Sequence, residues 1–132
     1  MANEVSDIEI ASPSVVKQAA RNFAAALSET AQFMALEQAA QAFQKDEAAQ
    51  RAMRAYEAKQ QSLRALLMLN AAPVEDQQEL ERLRQAFFSQ PSVVAYLDAQ
   101  NELMALSQAC ADLLSQATGL NYAASCGSSC CG

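Results

Sequence analysis

The chain has 132 residues, a formal net charge of −6 and no histidine. One domain at most fits this length. The acidic balance excludes general nucleic-acid binding through an electrostatic footprint, which needs clustered Lys and Arg, and the missing imidazole removes both the usual general base at neutral pH and the commonest zinc ligand.

Hydrophobic residues make up 52% of the chain, but alanine supplies much of that fraction. The expected core is therefore thin, helical and built from closely approaching helices, a composition that suits a homo- or hetero-oligomer. No run approaches the roughly 20 apolar residues needed to span a bilayer, and the N-terminus shows no basic-then-apolar leader, so no membrane association and a cytoplasmic location are expected. In that reducing compartment the four cysteines favour a metal site or free thiols over a disulfide framework.

Residues 1–12 read as an arm, in which Val5, Ile8 and Ile10 are too few to define an element. Ser12-Pro13 opens a first helix, with Ser12 as capping acceptor and Pro13 at the first helical position. The stripe Val16, Ala20, Phe23 and Leu27 carries it to about Ser28. Beyond that point the apolar residues are Phe33, Leu36, Ala40 and Phe43, out of phase with the first stripe. The helix must break near Glu29-Thr30, and Thr30 caps a second helix to about Gln44.

Lys45-Asp46 makes the next junction: Asp46 caps, Glu47 suits the first turn of the new helix, and Lys45 suits the end of the old one. The third helix runs from Glu47 to about Leu69 on Met53, Tyr56, Leu63, Leu66 and Leu67. Lys45, Arg51, Arg54, Lys59 and Arg64 hold five of the nine positive charges, and read as solvated helix positions paired with Glu47 and Glu57. Asn70-Ala71-Ala72-Pro73 is a turn. A fourth helix follows, with Glu75 and Asp76 in its first turn and Leu80, Leu83 and Phe87 on its inner face; the helix dipole accounts for the acids there without invoking acid–base catalysis.

Ser89-Gln90-Pro91 opens the fifth helix, Pro91 to Thr118, which at about 1.5 Å per residue is a rod of roughly 40 Å. Its apolar residues Val93, Tyr96, Leu103, Cys110, Leu113, Leu114 and Ala117 recur mostly at intervals of three and four, the spacing of one helical face. Its charges are limited to Asp98, Glu102 and Asp112, so it is expected to be covered on more than one side. Gly119 suits a left-handed C-terminal cap, with Leu120 folding back on the last turn. No segment alternates with the period of a strand. The fold class is all-α: about five helices, two of them long and antiparallel, in a helical bundle. The organisation is an arm over 1–12, a helical domain over 13–119 and a cysteine-containing tail over 120–132.

Two stretches, Phe43-Gln44-Lys45-Asp46-Glu47-Ala48-Ala49-Gln50 with Tyr56 and Gln60 downstream, and Gln90-Pro91-Ser92-Val93-Val94-Ala95-Tyr96-Leu97 with Leu103 after it, resemble the recurring segments of the YlbF/YmcA family of small bacterial helical proteins. The likeness covers roughly Val15 to Leu120. It implies an all-helical cytoplasmic protein without catalytic activity. Such proteins join a complex that supports competence, sporulation and biofilm formation and modulates the endoribonuclease RNase Y. The resemblance also implies an iron–sulfur cluster, with ligands in terminal cysteine-containing segments, here Cys126, Cys130 and Cys131.

The residues themselves leave that chemistry open. Cys126, Cys130 and Cys131 supply three soft thiolates where a cluster or zinc ion normally takes four ligands. Cys110 after local rearrangement, a cysteine of another chain or a non-protein ligand could complete the set, although Cys110 reads first as a small buried hydrophobe. No Gly-rich phosphate loop or nucleophile elbow is present, and Tyr56 and Tyr96 lie on apolar stripes as core residues. The reading reached is a non-catalytic regulatory protein acting through protein partners; the alternative is a metal-handling or thiol-redox protein in which the tail is the active part.

Overall fold

Side-chain caps divide the first half of the chain. The Thr30 hydroxyl accepts the Phe33 amide hydrogen at 3.2 Å and donates to the Leu27 carbonyl at 2.7 Å, so one group ends a helix and starts the next. Asp46 Oδ1 accepts from the Ala49 amide at 3.1 Å, and Asp46 alone separates two helices. The computed structural model describes residues 11–122. Among them are five helices and no strand: α1 Pro13–Ser28, α2 Ala31–Lys45, α3 Glu47–Met68, α4 Val74–Phe88 and α5 Pro91–Thr118.

The remaining ends differ in two details from the expected caps. Ser12 does not cap α1 through its side chain; its hydroxyl is bonded to that of Ser14 at 2.9 Å. Its backbone carbonyl accepts from the Val15 and Val16 amides, and Pro13 needs no partner for an amide hydrogen it lacks. Asn70 ends α3 at φ 50°, and the Ala71 and Asn70 amides return to the Leu66 and Leu67 carbonyls at 2.8 and 3.2 Å, the double bond pattern of a left-handed helix cap. Gly119 ends α5 at φ 74°. Leu120 is not folded onto the last turn but stays 61% exposed; instead the Tyr122 amide donates to the Ser115 hydroxyl at 3.0 Å.

The helices pair as two hairpins. α2 packs against α5, and α3 packs against α4, so each long helix takes a shorter partner. A run of aromatic rings crosses the point where the hairpins meet. Tyr96 of α5 lies 6.2 Å from Phe43 of α2, Phe43 lies 6.2 Å from Phe87 of α4, Phe87 lies 5.0 Å from Phe88, and Phe88 lies 6.3 Å from Tyr56 of α3. Arg84 places its guanidinium 5.2 Å from the Phe88 ring centre, over one face of that ring. Tyr56 and Tyr96 are thus packing residues, as their stripes predict.

The buried set among the described residues is small: Ala49, Leu63, Ala72, Val93, Ala99 and Ala111. Four of the six are alanines, which lets helix backbones approach closely but removes little apolar area from water. The core is as thin as the composition predicts.

Coverage of α5 is less complete than its sparse charge implies. Val93 is buried and Tyr96, Leu103 and Cys110 are half-buried, yet Leu113 is 65% and Leu114 50% exposed. The reason is length. α2 has 15 residues and α5 has 28, so at about 1.5 Å per residue α5 outruns its main partner by roughly 20 Å. Only α1 is left to cover the excess, and α1 is itself exposed at every position except the half-buried Leu27.

Candidate interaction surface on α1 and α5

The expected inner stripe of α1 faces an open groove instead of a core. Val16, Ala19, Ala20 and Phe23 form one wall, and Cys110, Leu113 and Leu114 of α5 form the other, around a volume of about 510 Å³. The helical repeat brings the four α1 residues to one side, and the break at Glu29-Thr30 sets α1 off from the axis of α2, so its stripe meets α5 without closing on it. The groove walls are side chains of Val, Ala, Phe, Cys and Leu, with no charged group among them.

The charges of the two helices are divided by sign. Lys17 and Arg21 are the charged residues of α1, and Asp98, Glu102 and Asp112 those of α5. All five are exposed. The ion pairs among the described residues are Arg51–Glu47, Lys59–Asp76, Arg82–Glu79 and Arg84–Glu81, all on α3 and α4. Arg51 meets Glu47 as the sequence predicts, at 3.9 Å, but Lys59 crosses to Asp76 of α4 at 2.8 Å instead of pairing with Glu57. These contacts account for Asp76, Glu79 and Glu81 of α4: the Arg82 guanidinium beside Glu79 holds its carboxyl below the usual carboxylate range, and Glu79 raises Arg82 in return.

The two family-like segments converge on Asp46. Ser92 at the start of α5 donates its hydroxyl to Asp46 Oδ2 at 2.7 Å, while Oδ1 takes the Ala49 amide. These bonds, the Ser92 hydroxyl foremost, hold the Asp46 carboxyl below its usual range. The Gln50 side chain adds a bond from its amide to the Phe43 carbonyl at 3.1 Å. Such links are invisible to periodicity, because they join residues on different elements.

Of the sequence-predicted cysteines, Cys110 is a half-buried free thiol in the groove wall, among apolar neighbours. Its neighbours in the wall are Val, Ala, Phe and Leu side chains, the surroundings of a small apolar residue, and among the described residues no group of three Cys, Asp or Glu side chains is placed to hold a metal. Cys126, Cys130 and Cys131 lie outside the described residues. So does the arm over 1–10. No helix among the described residues is long and apolar enough to cross a membrane.

No curated protein and no solved structure matches the chain. A family model described as control of the competence regulator ComK, YlbF/YmcA, matches residues 16–118, from the first groove-lining residue of α1 to the last residue of α5, and takes in both segments joined at Asp46. The chain belongs to the YlbF/YmcA family, a family of regulators.

Proposed function

We propose that the protein is a non-catalytic regulatory subunit that acts by binding other proteins, within a bacterial assembly that modulates RNase Y-dependent RNA processing and so competence, sporulation and biofilm development. Family membership supports the regulatory part. The observation that carries the binding part is the α1–α5 groove, where two amphipathic helices turn apolar side chains towards each other and leave them in water. Contiguous exposed apolar surface of this kind marks an interaction site. Three of the four α4 carboxylates, Asp76, Glu79 and Glu81, are held by Lys59, Arg82 and Arg84 and are explained as structural.

The iron–sulfur cluster belongs to the same proposal through Cys126, Cys130 and Cys131, three thiolates that need a fourth ligand from elsewhere. The described residues supply no site for it. The experiment for the main reading is to delete the gene in its own bacterium, map RNA ends, and capture the tagged wild-type chain from native lysate. Altered processing of RNase Y-dependent transcripts, together with recovery of RNase Y or of other subunits of its regulatory assembly, is the expected result. Unchanged RNA ends with neither recovered overturns it.

A further inference from the structure

We propose that residues 1–10 of this chain lie in the α1–α5 groove as a strap, with Ile8 and Ile10 set between the two walls, so that a protein partner reaching this surface must displace the chain's own arm. This rests on reading the groove as an interaction surface, and it adds how access to that surface is controlled.

The way the chain enters α1 selects this occupant. Ser12 is the N-cap, at φ −67° and ψ 151°, and Pro13 holds the first helical position, which makes Ala11 the residue before the cap and Val16 the fourth residue of the helix. An apolar residue before the cap commonly packs against the fourth helical residue, and that contact fixes the angle at which the chain arrives. Val16 is also the first residue of the α1 wall, so a chain arriving at this angle comes in over one end of the groove. The residues just ahead are Asp7-Ile8-Glu9-Ile10. In an extended chain successive side chains point to opposite sides, which puts both isoleucines on one side and both acids on the other. The groove walls carry no charged side chain; they suit the isoleucine side and leave the acids to water. Reach is sufficient: Val16 to Phe23 is a rise of about 10 Å along α1, and three extended residues cover it at about 3.3 Å each.

The other segment outside the described residues is a poorer occupant. Residues 123–132 follow α5 but contain only Ala, Ser, Cys and Gly, with no branched or aromatic side chain to fill a volume of about 510 Å³. Attachment to α1 gives the arm an effective concentration on the order of millimolar, so two isoleucines need no further contact to compete for the groove. The family model matches residues 16–118, which takes in both walls and leaves out residues 1–10. The strap is thus this chain's own addition to a surface inside the family match.

Cys110 in the α5 wall, a half-buried free thiol, reports whether the groove is covered. The test measures alkylation of Cys110 by mass spectrometry in the full chain under reducing conditions, with Cys126→Ser/Cys130→Ser/Cys131→Ser removing the other three thiols. Ile8→Ser/Ile10→Ser in that background should speed alkylation by at least ~5-fold, because release of the arm opens the groove locally without unfolding the helices. Helicity and Tm should be the same for both chains. Ile8→Ala/Ile10→Ala should give an intermediate rate, and serves if the serine pair misfolds. Protection by the chain's own arm is intramolecular, so the rate for the isoleucine chain should stay constant over about a hundredfold dilution. Equal rates with and without the isoleucines overturn the proposal. So does protection that is lost on dilution, which would make a second copy the cover. Both outcomes leave the regulatory reading standing if RNase Y or its partners are still recovered from lysate.

Discussion

The Ser92 hydroxyl donates to Asp46 Oδ2 across 2.7 Å, joining residues 46 positions apart. Asp46 also caps α3 through the Ala49 amide, so one carboxylate fixes the α2–α3 junction and ties it to the start of α5. Ala49 and Val93, the neighbours of this link on either side, are 0% and 3% exposed. The polar link and the two least exposed of the buried residues described thus lie next to each other in sequence, beside Phe43 and Tyr96 of the aromatic run. Loss of either should loosen the relation between hairpins more than the helices themselves.

Asp46 should make stability depend on acid. Its folded-state pKa is lowered, by the Ser92 hydroxyl first and the Ala49 amide next, so its contribution is fully present above the unfolded value of about 3.9 and is lost as pH falls through the lower folded value. Asp46→Asn should therefore lower Tm at pH 7, and the gap to the wild type should close as pH is taken below about 4. Thermal melts across that range read it; a gap that stays constant with pH would show that the charge of Asp46 does not act on folding.

Burial separates apolar positions that the sequence treats alike. Leu63 within α3 is 5% exposed, whereas Leu69, the residue after its last turn, is 76% exposed. Leu63→Ala should cost about 2–3 kcal/mol through lost burial and the cavity left behind, and Leu69→Ala should fall within about 0.5 kcal/mol of the wild type. Chemical denaturation measures both. Equal costs would mean that the hairpin of α3 and α4 packs on a different face.

Ala49 has no exposed surface at all. Ala49→Leu forces three further carbons into a contact already closed, and should cost about 1–3 kcal/mol. The effect should appear in the same denaturation assay without loss of total helicity in the remaining folded fraction. A neutral or stabilising result would show that the junction has room to relax.

The two ends of α5 should respond oppositely to charge. Val93→Asp buries a carboxylate in a position 3% exposed, and should cost about 3 kcal/mol or more, because the charge has no partner there. Leu113→Asp alters a side chain already 65% exposed and should leave Tm nearly unchanged. Similar Tm losses for the two would mean that the end of α5 is covered within one chain.

Iron binding tests the tail. Anaerobic reconstitution should load iron and sulfide into the intact chain together with a cysteine-bearing partner, and not into Cys126→Ser/Cys130→Ser/Cys131→Ser. Visible thiolate-to-iron absorption and metal content give the readout. Equal loading of the two chains, or none in either with the partner present, removes the tail as a cluster site.

Helix identity and most helix ends were legible one-dimensionally, for local reasons. Thr30, Asp46, Asn70 and Gly119 act through their own backbones or through amides a few residues away, and stripes at intervals of three and four report which side of a helix is apolar. The same locality limited the reading. Ser12 offered a capping hydroxyl, and only the folded geometry turned it to Ser14. Lys59 had Glu57 close by in sequence and found Asp76 across the hairpin.

An apolar stripe states that a helix face prefers contact to water, but not whether the chain supplies that contact. Val16, Ala20 and Phe23 show the same periodicity in α1 as Met53, Tyr56 and Leu63 in α3, yet the first set lines an open groove and the second packs on α4. Sequence determined the helices, their caps and the division of charge between α1 and α5, because each is a property of residue type and spacing. Tertiary structure alone decided that α5 outruns α2, that α1 does not close on the excess, and that Ser92 meets Asp46, because these depend on lengths and directions of elements distant in the chain.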